Sequence, residues 1–259
     1  MSKSSLPNSD ICCKAPKVGA LPESSANWSQ QPEISLPTGS TVHIWKETLD
    51  VSASELDRFT TYLEAEELQR AARFRFPIHR ARFIAGRGLL RSILARYLKT
   101  DPAEIQFEYA RFGKPELICG ALHFNLAHSE DRIILAISKG PVGVDLEVRR
   151  PIPDIDSLAA QVFSAHEMAA WRGWGDAELF LRLWTRKEAL LKGIGLGIAH
   201  HVKEVSVFFG NEANLQVPRA LSAEPWTIQT FAAEEDIWSI AAVHSPECIL
   251  LPATDCDVL

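Results

Sequence analysis

The stretch Val142-Gly143-Val144-Asp145-Leu146-Glu147-Val148 holds the alternation that decides how this chain folds. Successive strand residues point to opposite faces, so Val144, Leu146 and Val148 share one side and Asp145 and Glu147 the other. One face is built for a core and the other is acidic. Two carboxylates ~6–7 Å apart repel by roughly 2–3 kcal/mol at an effective dielectric near 20. A cation between them would remove that penalty, and a face open to water would screen it. The strand alone supports both readings evenly.

Further along, Leu181-Arg182-Leu183-Trp184-Thr185-Arg186-Lys187-Glu188-Ala189-Leu190-Leu191-Lys192 reads as an amphipathic helix. Leu181, Trp184, Glu188, Leu191 and Lys192 fall on one stripe, at spacings of three and four. A carboxylate among apolar neighbours needs a partner or a metal. Lys192, one turn on, is one candidate partner for Glu188; a cation shared with Asp145 and Glu147 is the other. Three carboxylates without a thiolate or histidine cluster suit a hard cation, Mg²⁺ before zinc. His166-Glu167 lacks the second histidine of a zinc-protease helix, and His200-His201 has no ligand spacing; both read as structural or surface features. Gly193, Gly195 and Gly197 follow a helix instead of opening one, which signals a helix stop and a mobile turn.

Around these segments, periodicity predicts a strand near 42–46, helices near 52–69 and 79–98, and strands near 104–109, 122–126 and 132–138. The strand at 142–148 restarts the order, with helices near 155–171 and 178–192 and strands near 204–209, 226–231 and 238–243. Two halves with one order suggest a duplicated α+β unit. The expected boundaries are a flexible Ser/Pro-rich leader over 1–40, an N-terminal α+β lobe over 41–140, a C-terminal α+β lobe over 141–245 and a tail over 246–259.

At 259 residues, 46% hydrophobic and 23% charged, the chain has the composition of a soluble globular protein. No apolar run approaches the ~20 residues of a membrane helix. Five cysteines without CxxC spacing fit a reducing cytoplasm, and the Cys12-Cys13 pair reads as incidental. No basic segment followed by an apolar core opens the chain, so no secretory signal is expected. A net charge of −6 disfavours a general nucleic-acid coat. Yet eight arginines (Arg70, Arg73, Arg75, Arg80, Arg82, Arg87, Arg91 and Arg96) stand between Leu68 and Leu98 with no acidic residue among them; without them the net charge would be −14. They make either a solvated helix face or a site for a small polyanion or an acidic protein, because the guanidinium fork matches phosphate and carboxylate. The absence of GxSxG and GxxxxGK[ST] argues against an α/β-hydrolase and a P-loop nucleotidase.

Four blocks in order carry a family resemblance: Phe112-Gly113-Lys114-Pro115, Phe124-Asn125-Leu126-Ala127-His128-Ser129, Gly143 to Glu147, and Trp184 to Lys192. Together with the His43-Ile44-Trp45 and Trp238-Ser239-Ile240-Ala241 strands, they resemble the 4'-phosphopantetheinyl transferases of the surfactin-synthetase type over roughly 42–245. The resemblance implies two similar α+β lobes with pseudo-twofold symmetry, coenzyme A and Mg²⁺ between them, and a monomeric enzyme. It also implies transfer of the phosphopantetheine arm to a serine of an apo acyl or peptidyl carrier protein, releasing adenosine 3',5'-bisphosphate.

By the same resemblance Asp145, Glu147 and Glu188 are the metal acids, Asp145 also contacts coenzyme A, and Lys187 and Lys192 are signature residues on coenzyme A, with Lys192 near the pyrophosphate and catalytic. Glu188 is the expected general base, directly or through a metal-bound water. His128 would meet the 3'-phosphate, Gly113, Lys114 and Pro115 would form the adenine-side loop, and Arg70 and Arg82 would approach the coenzyme phosphates. Ala127 stands where many members have serine, and Phe83 where some have threonine. A Mg²⁺-dependent phosphodiesterase and a non-enzymatic coenzyme A or carrier-protein-binding module are the competing functions. The carrier served, and thus whether the pathway makes fatty acids, polyketides or nonribosomal peptides, is not legible.

Overall fold

The computed structural model describes residues 34–197, 201–207 and 215–251. The Cys12-Cys13 pair and most of the expected leader, His200, and the last eight residues of the expected tail lie outside them. The first half runs β1 (Thr41–Thr48), α1 (Ala53–Tyr62), α2 (Ala65–Ala72), α3 (Pro77–Leu98), β2 (Phe107–Tyr109), β3 (Pro115–Leu117), β4 (His123–Ser129) and β5 (Arg132–Ser138). The second runs β6 (Val142–Val148), α4 (Ile155–Val162), α5 (Ala165–Trp174), α6 (Ala177–Ile194), β7 (Ser206–Val207), β8 (Leu215–Gln216), β9 (Trp226–Ala232), β10 (Asp236–Val243) and β11 (Glu247–Leu251).

Local chemistry explains where this order departs from periodicity. The helix expected over 52–69 is two helices, because Ser52 with Glu55 and Glu64 with Glu67 each close a capping box that starts a new one. The helix expected over 155–171 breaks before Ser164, which caps α5 with Glu167 in the same way. The strand expected over 104–109 loses its start to a 3-10 turn, Pro102–Glu104, whose first free N–H is taken by the Asp101 side chain. The segment from 246 onward is not simply a tail. Its β11 pairs in parallel with β1, matching Thr41 to Glu247 and Trp45 to Leu251, so the C-terminal region completes the first sheet.

The first sheet has the order β11-β1-β5-β4 and the second β6-β10-β9. On one face of the first sheet, α3 packs Leu90, Ile93 and Leu94 against Trp45, Leu135 and Ile137. On the other face Ile44, Ile134 and Ala136 meet Val144, Leu146, Trp238 and Ile240 of the second sheet. Beyond that sheet, Ile237 and Ala241 pack on Leu183 and Leu190 of α6. The result is helix, sheet, sheet, helix, an α+β architecture in which each fully buried Leu or Ile contributes roughly 1.5–3 kcal/mol. The expected alternation along β6 holds for Val144 and Leu146, which lie with Val142 in the layer between the sheets, while Val148 at the strand end is only half-buried.

Where β6 borders β4, its edge is stitched by side chains. The Val144 N–H donates to Asn125 Oδ1 at 2.8 Å and the Val148 N–H to Ser129 Oγ at 3.2 Å. These bonds satisfy edge donors that would otherwise be buried alone. No helix among the described residues is long and apolar enough to cross a membrane.

Candidate active site

Two glycines let α6 lie directly on the backbone of β6. A Cβ at Gly143 would stand 1.9 Å from the Ala189 carbonyl oxygen and 2.3 Å from the Gly193 nitrogen. Gly193 in turn has no room for a Cβ beneath the Trp226 ring. This approach carries Asp145, two residues after Gly143 and on the same strand face, against the last turns of α6. Asp145 is only 4% exposed.

Around it the structure gathers three of the expected residues, Lys192, Glu188 and Glu147. Lys192 Nζ donates to Asp145 Oδ1 at 2.5 Å and lies 3.2 Å from Glu188 Oε2. Glu147 Oε2 accepts from Ser129 Oγ at 2.8 Å, and Glu147 Oε1 accepts from Trp184 Nε1 at 3.2 Å. Arg150 stands at the rim, 3.9 Å from Glu147. Both sequence readings of Glu188 thus meet at one place, since Lys192 pairs with it and with Asp145 together.

The electrostatics are unbalanced. Burial pushes the Asp145 carboxyl well above the usual carboxylate range; Lys192 opposes this, while Glu188 and Glu147 add to it. Burial alone would lower Lys192, but Asp145 and Glu188 outweigh it and hold the ammonium above its ordinary value. Three carboxylates face one lysine, and Asp145 Oδ2 is buried without a hydrogen-bond partner. That orphaned oxygen in an all-oxygen donor set fits a hard cation. With Lys192 bridging two of the acids, no three acidic, histidine or cysteine side chains among the described residues form a ready metal cage.

Other expected site residues lie elsewhere or are already engaged. Lys187 departs most from expectation. It is fully buried, and its Nζ meets Val202 O and Val205 O at 2.6 Å each and Glu167 Oε2 at 2.7 Å, which uses all three donors. No donor is left for a coenzyme, so the structure gives Lys187 an internal role in place of the expected contact. Glu167 also accepts from the Ser164 and Val207 N–H groups, at 2.8 and 2.7 Å. The structural reading of His166-Glu167 therefore holds for Glu167, with a partner the sequence did not announce.

The β2–β3 hairpin turns at Gly113, whose φ of +80° suits glycine. It delivers Lys114 to the end of α6, where Nζ meets the carbonyls of Lys192 at 2.9 Å, Val142 at 3.3 Å and Gly193 at 3.5 Å. An ammonium there satisfies the free carbonyls of the last turn. Burial lowers Lys114 from the ordinary lysine value. Pro115 opens β3 opposite Tyr109.

His128 is exposed on the face of β4 that also carries Phe124 and Leu126 toward α3, while its neighbour Ser129 turns the other way to Glu147. Arg82 forms a forked pair with Asp50, at 3.0 and 3.3 Å. The Arg70 guanidinium sits over the Phe83 ring, 5.3 Å from its centroid. Ala127 is buried between the two sheets. His201 Nδ1 lies 3.0 Å from Glu204 Oε1.

Sequence reasoning overlooked Ser129 and Trp184 as the two groups that hold Glu147. The signal was present, because both sit inside the quoted blocks and strand alternation sets Ser129 opposite to His128.

A family model described as the 4'-phosphopantetheinyl transferase superfamily matches residues 141–243, and one described as 4'-phosphopantetheinyl transferase, N-terminal, matches 47–140. Among curated proteins, the chain is 36% identical to 4'-phosphopantetheinyl transferase HetI of Nostoc sp. over 83% of this chain and 93% of that relative. It is 27% identical to 4'-phosphopantetheinyl transferase Sfp of Bacillus subtilis over 75% and 88%, respectively. It is 39% identical to 4'-phosphopantetheinyl transferase AcpT of Salmonella typhimurium over 60% of this chain and 75% of that relative.

Proposed function

Because the chain belongs to the 4'-phosphopantetheinyl transferase superfamily, we propose that its carboxylate–lysine cluster transfers the phosphopantetheine arm of coenzyme A to a serine of an apo acyl or peptidyl carrier protein. The observation that carries this reading is the buried, unpartnered Asp145 Oδ2 beside Glu147, Glu188 and Lys192. In this reading Asp145, Glu147 and Glu188 hold Mg²⁺, and Ser129 and Trp184 fix the rotamer of Glu147. Bound there, Mg²⁺ supplies positive charge that neutralises the pyrophosphate oxygens.

The chain's own residues do the rest. The serine Oγ forms a bond to the pantetheine-side phosphorus while the bond to the departing adenosine 3',5'-bisphosphate breaks. The serine proton passes to Glu188, which is less buried than Asp145 and open to an acceptor arriving from solvent. Lys192 stays cationic and donates to the charge that builds on the phosphate oxygens. Lys114 keeps the end of α6 in place, and with it Lys192. His128 and Arg70 are exposed and free to meet the nucleotide end, whereas Arg82 reaches a phosphate only by leaving Asp50.

The lobe symmetry belongs to the same reading. Each sheet pairs its strands in the order first, third, second (β1-β5-β4 and β6-β10-β9), which supports two pseudo-twofold-related lobes over about 41–140 and 141–245. One chain supplies both, which supports a monomeric enzyme, and five cysteines without CxxC spacing fit a reducing cytoplasm. Labelled coenzyme A, Mg²⁺ and an apo carrier protein test the function. Covalent label on the carrier is expected. Label released to water would point to a phosphodiesterase, and bound but unchanged coenzyme A to a binding module.

A further inference from the structure

The structure divides the eight arginines into two sets. Arg87 and Arg91 are tied to Glu67, Arg82 to Asp50, and the Arg96 guanidinium lies over Trp45. The other four gather where α2 gives way to α3. Arg70, Arg73, Arg75 and Arg80 are exposed there and make no ion pair among the described residues; Arg70 and Arg75 sit over the Phe83 and Phe76 rings. The same short stretch exposes Leu68 at 37%, Phe74 at 39%, Phe76 at 55% and Ile78 at 48%. A solvated helix face has no use for four open apolar side chains between unpaired guanidiniums.

Phosphates account for the charge and leave the phenyl rings and the isoleucine unexplained. Aromatic and aliphatic anchors rimmed by arginine suit a protein surface instead. Charge complementarity makes that surface acidic, and the open apolar groups ask for a helix with one apolar stripe. A relay of contacts leads from the reacting end to α3, the helix that carries one side of the patch. Ser129 bonds Glu147 and opens the β4–β5 turn, the Asp131 carbonyl of that turn accepts from the Leu49 N–H, and Asp50 pairs with Arg82 of α3.

We propose that the α2–α3 junction, centred on Arg73, Phe76, Ile78 and Arg80, is the docking surface for an acidic amphipathic helix of the carrier protein that presents the acceptor serine. This rests on the transferase reading for the identity of the partner. Arg70 is left to the coenzyme.

The test uses the full chain with two exposed double variants, Arg73→Glu with Arg80→Glu and Phe76→Ser with Ile78→Ser. Association with an apo carrier is measured by direct titration at low and high salt, beside the KM for carrier, the affinity for coenzyme A and the melting temperature. Both variants should weaken carrier association and raise its KM about tenfold or more. Coenzyme A affinity should stay within about twofold and melting should not change. The charge variant alone should flatten the salt dependence, and a carrier with its surface carboxylates changed to lysine should regain affinity for it.

Unchanged carrier association overturns the proposal. So does a loss of coenzyme A affinity with carrier binding intact, which would make the patch a phosphate site. Loss of binding to anionic phospholipid vesicles with carrier binding intact would make it a membrane face. If the wild type labels no carrier, the transferase reading fails, while the direct titration still decides the docking surface by itself.

Discussion

Lys187 and Glu188 are neighbours on α6 and belong to two opposite kinds of ionic site. On one side Lys187 and Glu167 form a buried pair in which every donor of the ammonium is used and Glu167 receives two backbone N–H groups besides. On the other, Asp145 and Glu188 share Lys192, Glu147 has only Arg150 as an ion-pair partner among the described residues, at 3.9 Å, and Asp145 Oδ2 has no donor. Burial lowers Lys187 as it raises Asp145, but only the first is answered by a closed set of partners. A closed set fixes structure, whereas a deficit of positive charge invites a ligand.

The widest test of this contrast is Lys187→Met. It leaves the Glu167 carboxylate buried and uncompensated, so about 3–5 kcal/mol of stability should go, lowering the melting temperature by on the order of 10 °C. Thermal denaturation checks it. A loss below about 1 kcal/mol would put Lys187 in the same class as Lys192.

On the deficient side, Glu188→Gln keeps the shape and removes the charge and the proton acceptor. Turnover should fall about 10²-fold, equivalent to ~2.7 kcal/mol, with coenzyme A affinity within about tenfold. Single-turnover transfer beside equilibrium binding separates the two numbers. Normal turnover would end its role as a base.

Asp145→Asn should act in the opposite direction on stability. Its carboxyl is held above the unfolded value, so ionising it costs the folded state at neutral pH, and the variant should be more stable than wild type there. The gain should close as pH falls through the raised value and wild-type Asp145 takes up its proton. Stabilisation by added Mg²⁺ should be lost with it. Melting curves against pH, with and without Mg²⁺, read both effects, and a variant less stable than wild type at neutral pH would contradict the deficit.

The smallest effect serves as a control far from α6. Burial pushes Glu47 up to about 6. Glu47→Gln should therefore gain roughly 1 kcal/mol above that pH and nothing below the ordinary carboxylate value near 4.5. A pH-independent gain would show that the charge is not its cause.

Much of the site was legible because strand alternation and helix spacing are local rules. They placed Asp145 and Glu147 on the face away from Val144 and Leu146, and Glu188 with Lys192 on one stripe of α6. The partners of Lys187 were not legible. Val202, Val205 and Glu167 reach it from segments whose order in sequence says nothing of which face of α6 they cover. Lys114 was legible as a member of a block, but its position on the α6 carbonyls depends on the β2–β3 hairpin meeting the other half of the chain.

By itself the sequence determined the alternating elements, the α+β class, the four family blocks and the acidic character of one strand face. These follow from side-chain period and residue type, which act over a few residues. Only the tertiary structure decided that β11 returns to β1, that Ser129 and Trp184 hold Glu147, and that four of the eight arginines are tied to partners in the fold while four stand exposed. Those outcomes depend on long-range packing, above all on Gly143 and Gly193 giving α6 the close approach that joins Lys192 to Asp145. Spacing along the chain carries no record of which distant backbone will come to lie against it.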